Sequence, residues 1–212
     1  LGGAQGLLGW YMVQSGLVDR PSVSQYRLTA HLGVAVAIYA LMMWVLLRVG
    51  AGLSPALKHI GLPGGVLLIG VYTLILSGGF MAGTDAGFAY PTWPLMGETF
   101  VPAGYYAQGW QATFEGVATI HFNHRMLAYV VALLVVFFSV QTLRAGDSAR
   151  VRRSAMLMLG VLTGQLLLGI GTVMTQVAIP VAATHQVGAV LLLTAVLYWI
   201  HAQSDQKLVT SN

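Results

Sequence analysis

The sequence predicts an all-α, polytopic membrane protein. Charged residues make up only 8% of the 212-residue chain and hydrophobic residues 57%, whereas a soluble domain carries about 25% charged residues. The mean hydropathy is +0.75. Six apolar runs approach the roughly 20 residues that a helix needs to cross a bilayer. They extend from Leu1 to about Leu17, Leu28 to Leu47, Gly65 to Ala82, Thr119 to Leu143, Ala155 to Val177 and Ala183 to His201.

The first run, LGGAQGLLGWYMVQSGL, lacks the basic start of a cleavable signal peptide and has no initiator Met. The expectation is a chain cut from a longer protein, with this helix clipped. The second run opens on LTAHLG, the fourth on IHFNHRMLAY and the sixth on AATHQVG, so each carries a histidine near its start. Between the third and fourth runs lies the segment Gly83 to Ala118, rich in Gly, Pro and aromatics. It reads as a shaped cap over a site, with Tyr90 and Trp93 at the interface. The fifth run follows Arg150, Arg152 and Arg153.

Basic residues orient the helices. Arg48, Lys58, Arg144, Arg150, Arg152, Arg153 and Lys207 fall on one side, and only Arg20, Arg27 and Arg125 on the other. The first set is therefore cytoplasmic (or matrix), and the cap faces outward. The second, fourth and sixth helices then run from outside to inside, so His31, His124 and His185 lie at one depth near the outer face. Polar residues in a bilayer are costly, and their repetition at one level calls for a chemical reason. The absence of cysteine excludes disulfides, thiolate haem ligation and Cys-based metal sites. The net charge of +4 sits in flanking loops and is no nucleic-acid signal. Two neutral imidazoles on facing helices can clamp a haem iron, and a four-helix bundle suits such a site. Haem is the reading that the three histidines support.

An internal repeat sharpens this. QGLLG (Gln5 to Gly9) resembles QLLLG (Gln165 to Gly169), and TAHLG (Thr29 to Gly33) resembles THQVG (Thr184 to Gly188). The first two helices thus match the fifth and sixth in the same orientation, a parallel repeat about an axis along the membrane normal. The expected unit is a four-helix bundle. Residues 1–50 form the second half of one unit, 51–64 a cytoplasmic linker, 65–203 a complete second unit and 204–212 a cytoplasmic tail. The first unit would need two preceding helices, the second bearing a counterpart of His124. Within the complete unit His124 and His185 pair, while His31 is half of another pair.

Plainer readings stand beside these. A lone intramembrane His is often only hydrogen-bonded. His121, one turn outward of His124, is the alternative ligand. His59 and His201 are expected to be solvated. Arg125 either snorkels or pairs with a haem propionate. Gly2/Gly6 and Gly160/Gly164, each four apart, fit close helix packing. Asp85 and Glu115 read as loop caps or hydrogen-bond partners, and Gln5 and Gln165 as bonds between helices. The nine methionines have no ligand role.

The stretches LGGAQGLLGWYMVQSGL with YRLTAHLG, AGTDAGFAYPTWPLMG, FNHRMLAY and ATHQVGAVLLL together resemble the haem A synthase family, in its proteobacterial and mitochondrial branch. They spread from Leu1 to Leu193. The resemblance implies eight transmembrane helices in two four-helix halves and oxidation of a methyl group of haem O to the formyl group of haem A, for cytochrome c oxidase. It implies haem b held by His124 and His185 as an electron relay, and His31 as a ligand to the substrate-haem iron. Implied partners are a ferredoxin-type electron donor, haem O synthase and cytochrome c oxidase assembly, in a bacterial inner membrane (the mitochondrial one being the alternative). The family's first two helices, with a histidine and a glutamate implicated in catalysis, have no counterpart here, so the expectation is a fragment inactive alone. The cysteine pair of other branches is also absent, and His121 stands where the family suggests another residue. The competing readings are a bis-histidine cytochrome b that only carries electrons and a transporter with a histidine-lined path. The transporter would want acidic residues in mid-helix, whereas Asp85, Glu98 and Glu115 lie outside the helix centres.

Overall fold

In the computed structural model, residues 2–14, 23–54, 57, 60–145 and 148–210 are described, with side chains as far as residue 206. Arg20, Lys58, His59 and the Lys207 side chain lie outside them. A backbone in hydrocarbon must satisfy its polar groups within its own segment, and the described chain is accordingly helical: α1 (Gly2–Gln14), α2 (Gln25–Gly50), α3 (Gly61–Gly83), a short α4 (Ala112–Glu115), α5 (Val117–Arg144), α6 (Ala149–Met174) and α7 (Ile179–Thr210). Five of these, α2, α3, α5, α6 and α7, are long and apolar enough to span a bilayer, so the protein is a multi-pass membrane protein. The expected sixth span falls on α1. Its 13 described residues cover only about 20 Å at 1.5 Å per residue.

The helices outrun the apolar runs that announce them. The runs stop at the first polar residue, but the helices continue while such residues find partners. The end that carries Arg48, Arg150 and Asp205 shows why. Arg48, expected in a membrane-flanking loop, is 1% exposed. Its Nε donates to the Ser54 carbonyl and its Nη1 to Ser204 Oγ, both at 2.9 Å, with Asp205 Oδ1 at 3.7 Å. Arg150 Nη1 lies 2.7 Å from Asp205 Oδ2, and its Nη2 meets His201 Nε2 at 2.8 Å. His201 is therefore not solvated, as expected, but buried at 1% exposure. Helix α7 runs through Ser204 and Asp205 into the region read as a tail, because those residues lock it to α2 and α6.

The apolar core sits in the same half as Arg48 and Asp205. Trp44, Leu67, Val71, Val135, Met158 and Leu197 are almost fully buried within it. Tyr39 bonds Thr194 across α2 and α7 at 2.6 Å, and Trp199 Nε1 donates to Thr142 Oγ1 across α7 and α5. Outward-pointing Leu7, Met42, Leu62, Ile69 and Leu133 are exposed, as expected of side chains that face lipid. Among the glycines that let helices approach are three of α3. A methyl group on Gly64 would meet Ile200, one on Gly79 would meet Thr29, and one on Gly83 would meet the Gln25 backbone. Gly2, Gly6, Gly160 and Gly164, expected at close contacts, face open space.

At the outer end α6 turns into α7 within four residues. Gln176 and Val177 both take positive φ, unusual for a β-branched side chain, and the Val177 N–H closes the turn on the Thr172 carbonyl at 2.8 Å. Gly87 of the cap sits against Val177, so the cap and this turn share one face. Removing Arg48 (Arg48→Ala) takes the buried donor from the Ser54 carbonyl and Ser204 Oγ and the cation from beside Asp205, and should cost on the order of 3 kcal/mol. Arg150 is 46% exposed, and Arg150→Ala should cost about 1 kcal/mol or less. Denaturation in detergent measures both, and equal losses would show that the buried arginine is no lock.

Candidate functional site

Above the core, the outer half of the bundle is lined by polar side chains projecting between helices. His31 lies one turn and a half into α2. Across from it on α1, a methyl on Gly9 would come within 3.1 Å of the His31 ring. Gln5, one turn away on α1, donates from Nε2 to the His31 carbonyl at 3.2 Å and to His31 Nε2 at 3.3 Å. The same device recurs in α6 and α7. Gly169 abuts the His185 ring, with a would-be methyl at 3.0 Å, and Gln165 Nε2 donates to the His185 carbonyl at 3.0 Å. Each pair thus has a glycine that admits an imidazole and a glutamine that ties down its backbone. The repeat read from sequence holds at these residues. It fails at Gly33 and Gly188, which are offset by one when the histidines are aligned. Gly33 faces Tyr72 and Leu76 of α3, whereas Gly188 faces Gln165 of α6.

His124 on α5 is oriented differently. Its Nδ1 lies 2.7 Å from Ser77 Oγ on α3, and the same hydroxyl donates to the Leu74 carbonyl at 2.7 Å. A serine has one hydroxyl proton. With that proton on Leu74, the His124 Nδ1–H must be the donor to Ser77, and Nε2 keeps the lone pair. This is the second-shell arrangement that presents a neutral imidazole to a metal. His185, on α7, has its Nδ1 buried without a partner. Among the described residues no group of three His, Asp or Glu side chains could hold a metal ion. Paired imidazoles, as a haem with two axial ligands requires, are what the donor set fits. At His31 the Nε2 is engaged by Gln5 while Nδ1 is buried and unpartnered, so iron at Nε2 would displace Gln5.

The cap folds onto the outer turns of α5. Arg125, half expected to reach a propionate, is instead 7% exposed, and it donates to the carbonyls of Tyr90, Thr92 and Leu95 at 3.1, 2.9 and 3.3 Å. Its two terminal nitrogens bond the loop, while its Nε is buried without a partner. Trp93 Nε1 donates to Tyr129, and Phe122 packs edge-on against Phe100 and Tyr105. His121 is fully buried, with neither ring nitrogen hydrogen-bonded, and its ring lies edge-on to Tyr90 at 5.9 Å. Its neighbour is the cap, whereas His124 looks to α3. Glu115 accepts from Tyr26 at 2.9 Å, the partner role expected of it. Asp85 sits in a left-handed turn with no side-chain cap bond. Ser77 was not singled out from sequence. Its only signal is a hydroxyl inside the apolar LILSGGF.

Known proteins resemble this chain over most of its length. Residues 1–197 match the profile of the COX15-CtaA family, described as cytochrome oxidase assembly protein. The haem A synthase of Nitrosospira multiformis is 45% identical over 95% of this chain and 58% of its own length. That of Rhodospirillum centenum is 43% identical over 94% of this chain and 54% of its own, and that of Nitrosomonas eutropha 42% over 93% and 58%. The chain thus spans rather more than half the length of these relatives.

Gly169→Val should push the His185 ring aside, whereas Gly160→Val projects into open space. Haem retained on purification should fall sharply in the first variant and stay at the wild-type level in the second, as read from the Soret band. Equal retention in both would remove Gly169 from the site.

Proposed function

The chain belongs to the COX15-CtaA family of cytochrome oxidase assembly proteins, and we propose that it carries a haem A synthase activity, converting a methyl group of haem O into the formyl group of haem A. The observation that carries this reading is the doubled glutamine–glycine–histidine device, which implies two tetrapyrrole sites of one design rather than a single electron-carrying one. His124 and His185 would hold a resident haem b, and His31 would ligate the iron of the substrate. The resident haem supplies one-electron redox chemistry when bound.

The chain's own residues do the positioning. Ser77 holds His124 in the tautomer whose Nε2 lone pair faces inward. Gln165 and Gln5 fix the backbones that carry His185 and His31. The cap, clamped by Arg125, keeps water from the outer end, which oxidation through reactive species demands. On this reading residues 1–50 belong to the substrate side and 65–203 to the cofactor side, as two four-helix units. The membrane is a bacterial inner membrane. A ferredoxin-type donor, haem O synthase and the oxidase assembly machinery are the partners consistent with such a reaction.

Co-expression with a haem O producer, followed by extraction and chromatography of the haems, tests the activity. Haem A should accumulate with the wild type. It should disappear in His31→Ala while haem b is retained. If no haem A forms beyond an empty-vector control, the enzyme reading fails, and retention of haem b alone would favour an electron carrier. Ser77→Ala should weaken haem b binding by roughly 10- to 100-fold, the cost of losing an orienting partner. An unchanged bis-imidazole spectrum in both His124→Ala and His185→Ala would remove them as ligands.

A further inference from the structure

We infer that Arg27, with the pocket it borders at the outer end of α1 and α2, binds a carboxylate of the tetrapyrrole substrate and so distinguishes the substrate site from the cofactor site. The inference rests on the reading of His31 as the substrate ligand. Arg27 precedes His31 by four residues on α2. It therefore lies on the same face, about 6 Å nearer the outer surface. Its guanidinium lies 4.3 Å from the centroid of the Tyr11 ring on α1. An open pocket of about 340 Å³ lies here, lined by Leu8, Tyr11, Ser24, Tyr26, Arg27 and Ala30. Among the described residues no carboxylate pairs with Arg27; the ion pairs are those of Asp205 with Arg48, Arg150 and His201.

The repeat supplies an internal control. Aligning Gly9 with Gly169 and His31 with His185 places Tyr11 opposite Gly171 and Arg27 opposite Val181. In the second repeat those two positions are in direct contact, with Val181 Cγ1 3.5 Å from a methyl built on Gly171. Glycine and valine seal the spot that tyrosine and arginine hold open. The one arginine near the cofactor site, Arg125, is bound to three cap carbonyls. A tetrapyrrole ligated at His31 with its acidic edge outward would meet an arginine that no described carboxylate pairs; one ligated at His185 would meet Val181. A guanidinium suits a carboxylate because its fork donates two parallel hydrogen bonds, and a flanking aromatic ring keeps it oriented.

The test uses the purified protein in detergent, titrated beyond the haem it already carries. The probes are iron protoporphyrin IX and its dimethyl ester, followed by Soret difference spectra. Wild type should prefer the diacid. Arg27→Gln should weaken diacid binding about tenfold, leave the diester unchanged and so abolish the preference, while Arg27→Lys should keep part of it. Preference retained in Arg27→Gln overturns the inference. Equal loss of both probes also overturns it, since that marks a packing role. His31→Ala separates the parent reading, because a second equivalent bound as tightly as in wild type refutes His31 as ligand whatever the ratio at Arg27.

Discussion

A polar side chain between these helices has no water to turn to, and most of the structure follows from how each one is answered. Unpaired buried polar groups cost kilocalories each, so every histidine and arginine that enters the bundle must bring a partner or a reason. At the Asp205 end the answer is largely mutual. Arg48, Arg150, His201 and Asp205 satisfy one another together with Ser204 and the Ser54 carbonyl. At the outer end the answer is incomplete. His185 Nδ1, His31 Nδ1 and both nitrogens of His121 are buried without partners. The first end has open atoms too, His201 Nδ1 and Asp205 Oδ1, but they sit beside ion pairs, whereas at the second end open imidazole nitrogens recur on α2, α5 and α7.

The two histidine devices are alike in frame and unlike in surroundings. Gln5 with Gly9 and Gln165 with Gly169 hold His31 and His185 in the same way. The differences lie one turn outward, where Tyr11 and Arg27 border a pocket and Gly171 and Val181 close on each other. Duplication accounts for the likeness. On the proposed function, a division between a ligand that stays and a ligand that turns over would account for the difference. Engagement of His31 Nε2 by Gln5 fits the second role, since a side-chain amide is a partner readily exchanged.

Much of this was legible in sequence because the bilayer simplifies the code. Apolar runs mark helices, and the basic-residue bias separates the two ends, so the depth of His31, His124 and His185 could be read without coordinates. Helix ends were less legible. Arg48 and Asp205 look like residues that stop a span, yet each finds a partner on another helix and the helix runs on. Tertiary pairing of that kind leaves no local trace. Glycine spacing misled for a related reason. Four-residue spacing puts Gly160 and Gly164 on one face but does not say what lies opposite, and close contacts are found instead at Gly64, Gly79 and Gly83. Ser77 escaped notice because its meaning comes from a proton count shared with Leu74 and His124. Arg27 was read only as a charge on a topological ledger.

The ionic lock around Asp205 also sets where the molecule can move. Helices α2, α6 and α7 are joined there by side chains from all three, and the largest core residues pack beside them. Their far ends are held by hydrogen bonds through Gln5, Gln25, Tyr26 and Gln165, by the contacts of Gly79 and Gly83 with α2 and by the α6–α7 turn. A bundle joined by buried ion pairs at one end and chiefly by single hydrogen bonds at the other behaves as a set of cantilevers, whose small angular freedom at the root becomes the largest displacement at the tip. The separation between helices is therefore most adjustable at the depth of the histidines, and the rigid end serves as their common footing.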